Sequence, residues 1–247
     1  MRSWKEALKE HKQVLEQAGY KEENILGVFC YGSQNYGIST EHSDWDTKAI
    51  IIPSYSDLIF KPATSKELHL PNGEHCEVKD IREIVKMFKK QNINFIEILY
   101  TEYKWINPIF KFLWDKYFIN NRENIAFYDK KIAIKSIGHQ AKHTISQNPF
   151  DGKKLANGYR LLRFLEKYIN DDNYINCLIL PKEEREMIID VKNGNIHQLS
   201  ADEMISKLDI LLNKDDIVVD NEKQKSIEDI MECGVLHLIL TKIPHTF

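Results

Sequence analysis

Two aspartates stand one residue apart at the start of an apolar run, in the stretch "SDWDTKAIIIP". In an extended strand, alternate side chains point to the same face, so Asp44 and Asp46 are expected about 7 Å apart along the backbone. Two carboxylates on one face repel each other unless a cation lies between them. The pair therefore predicts a divalent metal site built from hard oxygen ligands.

A third carboxylate is expected on a later strand. Glu77 lies on the second strand of a predicted hairpin, and it completes the metal site if that strand lies beside the strand after Asp46. Asp80 is the alternative third acid. However, Asp80 followed three residues later by Glu83 is typical of a helix N-cap with its capping-box partner. We therefore predict Glu77 as the third metal ligand.

Gly32 and Ser33 follow the buried run "NILGVFCY" and precede Asp44 by ten residues. A glycine at the end of a strand allows the chain to approach a ligand closely, and the serine hydroxyl adds a donor. If a helix begins there, its free N–H groups also face phosphate oxygens. Together with the metal ligands, this turn predicts a site for a nucleoside triphosphate with magnesium.

Basic residues gather on one face of a helix predicted near residues 153–170. Lys153, Arg160 and Arg163 belong to this face, beside an apolar stripe. Two interpretations remain open: a solvated helix surface, or the border of a cleft in which the cations bind a triphosphate or a polyanionic acceptor. In the second case, all three are nucleotide-binding residues.

The composition excludes several classes of protein. Apolar residues make up 43% of the chain and charged residues 29%, which excludes a disordered or fibrous protein. A net charge of -3 argues against a protein that coats nucleic acid through bulk charge.

The four cysteines are widely spaced and form no C-x-x-C pair, so we expect reduced thiols and a cytoplasmic location. No apolar run approaches the roughly 20 residues of a membrane span, so no membrane association is expected.

Hydrophobic periodicity predicts an α/β (α+β) fold whose first part is a small mixed sheet. An amphipathic helix, two buried strands, a hairpin around Asn72-Gly73 and a helix from residue 80 precede residue 100. Beyond it, strand signals are scarce. Helical periodicity appears near residues 107–119, 122–147, 153–170, 181–192, 200–213 and 222–241. We therefore predict a sheet domain over residues 1–105, a helical domain over 106–247, and a site in the cleft between them.

The stretch "YGSQNYGISTEHSDWDTKAIIIP", with "CEVKDIREIVKMFKKQNINFIEILY" after it, resembles the nucleotidyltransferase superfamily with the DNA polymerase beta type of palm domain. The signature of that superfamily is Gly-Ser, about ten residues, Asp-x-Asp, and a third carboxylate on a later strand. It corresponds here to Gly32-Ser33, Asp44-Trp45-Asp46 and Glu77. The resemblance covers residues 24–108 well and the helical remainder weakly. Within the superfamily, the chain is similar to a phage- and bacteria-borne branch of predicted nucleotidyltransferases.

The resemblance implies a palm fold and a reaction. Gly32 and Ser33 would hold the triphosphate, Asp44 and Asp46 would bind one or two magnesium or manganese ions, and Glu77 would assist the second metal and the attacking hydroxyl. A nucleoside monophosphate would pass from an NTP to a hydroxyl of a nucleic acid, a protein or a small molecule, and pyrophosphate would be released. The sequence leaves the acceptor open, with RNA and protein as candidates. Glu77 stands where the family usually has Asp. This difference favours an alternative, in which a weakly active or inactive palm serves as a nucleotide-sensing or antitoxin-like protein-binding module.

Overall fold

The computed structural model describes residues 2–41, 43–196, 199–214 and 217–242. Its sheet has five strands in the order β3-β4-β2-β1-β5. The strands are β1 (Ile25–Cys30), β2 (Thr47–Ile51), β3 (Ser65–His69), β4 (His75–Asp80) and β5 (Lys104–Ile106). β2 and β4 are parallel, and the other neighbouring pairs are antiparallel. The sheet is thus mixed, which confirms the α/β fold class predicted from the sequence.

Helices precede the sheet, connect its strands and make up most of the chain after β5. In the sheet region they are α1 (Trp4–Gln17), α2 (Tyr55–Phe60), α3 (Ile84–Lys89) and α4 (Ile93–Ile96). After β5 they are α5 (Pro108–Trp114), α6 (Arg122–Ala126), α7 (Lys130–Gln147), α8 (Gly152–Tyr168), α9 (Tyr174–Leu178), α10 (Lys182–Lys192), α11 (Ala201–Leu212) and α12 (Asn221–Leu240). Within the described ranges, no helix combines the length and the apolarity needed to cross a membrane.

The interior strand β1, which lies between β2 and β5, is buried along its whole length because both faces of the sheet are covered. Successive side chains point to opposite faces of a regular strand, but the register of β1 shifts by one residue between Ile25 and Gly27, so side chains three residues apart across this irregularity share a face. Leu26 and Phe29 therefore pack into the large core shared with the helices, whereas Ile25 and Val28 pack into a smaller cluster that contains Leu15 of α1. This double coverage explains why β1 is a continuous apolar run rather than an alternating one.

The sheet and the helical region share one hydrophobic core. Strand β5 spans the predicted domain boundary at residues 105 and 106, and it pairs with β1 through Gly27 and Ile106. The large core cluster runs without interruption from Leu26 in β1 to Leu238 in α12. The helices therefore pack directly on one face of the sheet, and a cavity can form where the strand ends meet the helices.

Local signals predicted most of the elements, with some differences. The hairpin of β3 and β4 is confirmed, and its turn is closed by a hydrogen bond from Leu70 N to Glu74 O at 2.8 Å. The single helix predicted over residues 122–147 is instead α6 and α7. A new helix begins after Asp129 because that side chain caps it, accepting a hydrogen bond from Ile132 N at 2.8 Å. The three residues of β5 carry too short a pattern to be recognised as a strand from sequence.

Candidate functional site

The turn after β1 contains a backbone conformation that glycine alone adopts readily. Gly32 has φ 87° and ψ -148°, a region essentially reserved for glycine because a Cβ atom clashes with the main chain. The chain then forms one 3-10 turn over Ser33–Tyr36, rather than the longer helix whose N-terminus was expected to face phosphate. The N–H of Gly32 donates to Glu97 Oε1 at 3.0 Å. In this turn, therefore, the Ser33 hydroxyl remains as the candidate phosphate donor.

The two aspartates share a face, as their spacing predicted. Trp45 between them is buried, with its ring centroid 5.6 Å from that of Trp4 and 5.1 Å from that of Tyr103. Anchoring Trp45 in the core turns both neighbouring side chains to the opposite side. Asp44 is exposed, while Asp46 is half-buried and accepts a hydrogen bond from the main-chain N–H of His75 at 3.1 Å. Burial, with a smaller contribution from the charge of Asp44, raises the pKa of Asp46 above its ordinary value.

One cavity of about 590 Å³ brings most of the predicted site residues together. It lies between the ends of β1 and β2 and the helices α8 and α10. Six of the predicted residues line it, namely Gly32, Ser33, Asp44, Asp46, Lys153 and Arg160. Tyr31, Tyr36, Ile38, Thr40, Ser43, Thr144, Asp151, Lys154, Ala156, Asn157, Lys192 and Asn193 complete the lining. The carboxylates and the cations therefore face the same cavity.

Positive charge is concentrated on the helical side of this cavity. Lys153 Nζ lies 3.9 Å from Asp44 Oδ2, and both side chains are substantially exposed. Lys192 donates to the carbonyl oxygen of Ile38 at 2.9 Å, and burial lowers its pKa. Ammonium groups beside two carboxylates form a site of mixed charge, which suits a ligand that carries both anionic phosphates and a bound cation.

Arg160 is the buried cation of the cavity. Its guanidinium carbon lies 4.0 Å from the ring centroid of Tyr36, and its Nε and Nη2 atoms donate to Asn157 Oδ1 at 3.3 and 3.0 Å. Its Nη1 atom is buried and lacks a hydrogen-bond partner among the described residues. A buried donor without a partner costs free energy, so this nitrogen is a natural contact for a ligand oxygen.

Behind Arg160, a buried carboxylate supports the turn after β1. Glu97 accepts hydrogen bonds from the hydroxyl of Tyr36 and from Gly32 N. Burial raises the pKa of Glu97, while the charge of Arg160 acts in the opposite direction. Arg160, Tyr36 and Glu97 thus link the basic helix α8 to the Gly32-Ser33 turn.

Glu77 lies on the strand next to β2, as predicted, but its carboxylate does not line the cavity. The parallel register places Glu77 opposite Lys48, and Glu77 Oε1 lies 2.9 Å from Lys48 Nζ. The hydroxyl of Tyr31 donates to the same oxygen at 3.2 Å, and Lys79 Nζ lies 3.5 Å from Oε2. Burial acts to raise the pKa of Glu77, but the charge of Lys48 and its hydrogen bond outweigh it and hold the pKa below its ordinary value.

Arg163 also lies away from the cavity, although it is one helical turn from Arg160. Its Nε and Nη2 atoms donate to the two carboxylate oxygens of Glu184 at 2.9 and 2.7 Å, and its Nη1 atom pairs with Glu166. This bidentate ion pair connects α8 to α10. The basic face of α8 is therefore divided between a ligand-facing arginine and a structural one.

The site contains several side chains that motif analysis did not single out, namely Tyr31, Tyr36, Lys48, Glu97 and Lys192. Lys48 and Glu97 did carry a signal in the sequence. Each is a charged residue inside an apolar run, and such residues are seldom fully buried without a partner or a role. The other three carried no comparable local signal.

The donors in the cavity fit magnesium bound together with phosphate. Among the described residues, the oxygens of Asp44, Asp46 and Glu77 do not form a three-ligand group close enough to hold one ion. Magnesium does not need such a group, because it commonly uses one or two carboxylates, several waters and the phosphates of a substrate. Asp44 and Asp46 supply that number of carboxylates.

No model of a known protein family matches the chain. No curated protein matches it either.

Proposed function

We propose that the protein is a metal-dependent nucleotidyltransferase, which transfers a nucleoside monophosphate from an NTP to a hydroxyl acceptor. One observation carries the proposal: the Gly32-Ser33 turn, both aspartates and the buried Arg160 line the same cavity of about 590 Å³. Carboxylates alone would suit a cation, and cations alone would suit an anion. A cavity with both, beside a turn that needs glycine, suits a metal-bound triphosphate.

Different residues of the cavity bind the phosphates and the metal. The Ser33 hydroxyl and the free Nη1 atom of Arg160 donate to phosphate oxygens, and Lys153 and Lys192 add charge at the rim. Asp44 and Asp46 hold the metal. When bound, magnesium neutralises negative charge on the phosphates and lowers the pKa of the attacking hydroxyl.

The reaction balances without a further reactant. The acceptor oxygen forms a bond to the α-phosphorus of the NTP, and the bond between that phosphorus and the bridging oxygen breaks. Pyrophosphate leaves with the electron pair, and the hydroxyl proton passes to solvent. Catalysis then depends on positioning and charge neutralisation. RNA and protein are the acceptors that we expect.

We also propose that the protein acts in the cytoplasm. All four cysteines are free thiols, and Cys30, Cys76 and Cys177 are buried. Free thiols are typical of a reducing compartment. Burial raises the pKa of the Cys76 thiol to about 11, so this sulfur stays protonated and unreactive at neutral pH.

Labelled nucleotides test the proposed reaction directly. The protein is incubated with magnesium, each NTP in turn, and RNA or protein acceptors, using label on either the α- or the γ-phosphate. We expect α-label on the acceptor and γ-label in pyrophosphate. Asp46→Asn should lower transfer at least about 100-fold, since it removes a metal ligand. Arg163→Met should retain transfer because Arg163 lies outside the cavity. Transfer of γ-label, or full activity in Asp46→Asn, would contradict the assignment.

A second candidate is a nucleotide-binding module with weak or no turnover, such as a nucleotide sensor or an antitoxin-like partner. The observation that favours it is the ion pair between Glu77 and Lys48, which engages the third carboxylate. The two functions differ in one measurement. A module binds an NTP with magnesium by calorimetry and releases no pyrophosphate with any acceptor, whereas the transferase releases it.

A further inference from the structure

The hairpin of β3 and β4 carries a cluster of metal-ligating side chains outside the cavity. His69 and His75 are directly opposite each other across the two strands. Glu67 precedes His69 by two residues and so lies on the same face. One ligand atom from each of the three residues lies within 4.8 Å of the other two. We propose that Glu67, His69 and His75 bind a borderline transition-metal ion of the zinc class.

The contact between His75 and Glu67 supports a metal rather than a hydrogen bond. His75 Nδ1 lies 2.9 Å from Glu67 Oε1, so the two groups are close enough to interact. The direction is not that of a hydrogen bond, however, and Nδ1 is buried without a hydrogen-bond partner in the part of the chain that the structure describes. A metal ion that accepts lone pairs from both atoms would satisfy this nitrogen.

The chemistry of the donors selects the ion. Two imidazoles and one carboxylate suit zinc and its neighbours, whereas magnesium prefers oxygen ligands alone. With metal–ligand distances of about 2.0 to 2.2 Å, tetrahedral ligands lie roughly 3.3 Å apart. Glu67 and His69 are exposed, so small side-chain rotations can close the remaining distance without moving the strands. Three protein ligands leave a fourth position for water or another ligand.

This site is separate from the cavity, although one residue connects them. The imidazole of His75 faces Glu67, whereas its main-chain N–H donates to Asp46 Oδ1 at 3.1 Å. None of the three proposed ligands lines the cavity. The proposed zinc-class site can therefore be tested independently of the proposed transferase reaction.

Metal titration tests the site with the intact protein. In excess magnesium, calorimetry with zinc should show one bound ion per chain, and cobalt should give the visible absorption of a low-coordinate nitrogen and oxygen site without a thiolate band. His69→Ala and His75→Ala should each weaken zinc binding by at least about 100-fold. Loss of a residue that only supports a metal ligand already costs about tenfold or more in affinity, and loss of the ligand itself should cost more. His69 is exposed, so its variant should keep the native melting temperature.

Two control variants make the result specific. His139→Ala removes an exposed histidine on α7, and Asp46→Asn removes a carboxylate of the cavity; both should bind zinc like the wild type. Absence of tight zinc binding in the wild type, unchanged binding in His69→Ala, or loss of binding in either control would overturn the proposal. In that case, the edge-on contact of His69 and His75, with ring centroids 4.7 Å apart, is simple cross-strand packing.

Discussion

Lys48 Nζ lies 2.9 Å from Glu77 Oε1, between two strands whose parallel register places these residues opposite each other. Lys48 is almost fully buried, and its ammonium also lies 3.7 Å from the ring centroid of Tyr31. A buried ammonium needs a counter-charge, because transfer out of water without one is costly. The carboxylate predicted to bind metal therefore neutralises a lysine in this structure.

Glu77→Gln should destabilise the fold by about 1 to 3 kcal/mol at pH 7, since it leaves the buried charge of Lys48 without its counter-ion. The pKa of Glu77 is held below its ordinary value of 4.5. A carboxylate with a lowered folded-state pKa stabilises the protein above the unfolded-state pKa, and this contribution is lost as the pH falls through the folded-state value. Denaturant unfolding at several pH values should show a difference from wild type that shrinks below pH 4.5.

Glu83→Gln is the matched control for this prediction. Glu83 pairs with Lys86 at the surface, at 3.3 Å, and exposed pairs contribute less than about 1 kcal/mol. If the two variants had equal stability at pH 7, the ion pair between Glu77 and Lys48 would have no structural role.

Asp46→Asn should maintain or raise the stability of the metal-free protein at neutral pH. Burial raises the pKa of Asp46, with a contribution from Asp44, so ionising this carboxyl costs more in the folded state than in the unfolded one. The cost appears as the pH rises above the ordinary value of 3.8, and it vanishes below that value, where both states are protonated. Thermal melts of both proteins across pH test the sign.

Magnesium provides the complementary measurement on the same variant. The wild-type melting temperature should rise with magnesium and an NTP, since a ligand that binds only the folded state stabilises it. Asp46→Asn should lose most of this rise. If Asp46→Asn were strongly destabilised without metal at pH 7, the carboxylate would be a structural group rather than a poised ligand.

Arg160→Met should weaken NTP binding by about tenfold to 150-fold, which corresponds to 1.5 to 3 kcal/mol for a charge-assisted contact. Arg163→Met, the matched variant one turn along α8, should leave NTP affinity unchanged and lower stability instead, because it removes the ion pair with Glu184. Calorimetry with a non-hydrolysable NTP, accompanied by a melt of each variant, separates the two effects. Equal losses of affinity would show that the nucleotide does not use the cavity.

Gly32→Asn should cost about 1 to 3 kcal/mol of stability, because its backbone conformation is essentially closed to other residues. Open space surrounds the missing Cβ atom, so the cost comes from the backbone and not from a clash. Gly37→Asn is the control, since Gly37 has φ 66° and ψ 27°, a left-handed conformation that asparagine adopts. The atom nearest to its new Cβ atom would be Arg185 Nη1 at 2.9 Å, the end of a flexible side chain that can shift. Equal unfolding free energies would contradict a glycine-specific turn.

The sequence by itself determined the local elements and the local half of the site. The apolar strands, the β3–β4 hairpin and most helix bounds follow from periodicity and turn residues over a few positions. The spacing of Asp44 and Asp46 predicted a shared face, and both side chains line the cavity although β2 begins only at Thr47. These features depend on residues that are close together in the sequence, because the sterics of neighbouring residues set the side-chain periodicity of strands and helices.

The tertiary structure alone decided which groups meet across the sheet and the helices. The register of β2 against β4 matched Glu77 with Lys48, and the packing of α10 gave Arg163 a carboxylate partner while Arg160 faced the cavity. The two members of each such pair lie far apart in the chain. Arg160 and Arg163 are only one helical turn apart, yet they differ in role because long-range packing and charge pairing give them different neighbours. No local pattern records that choice of neighbours.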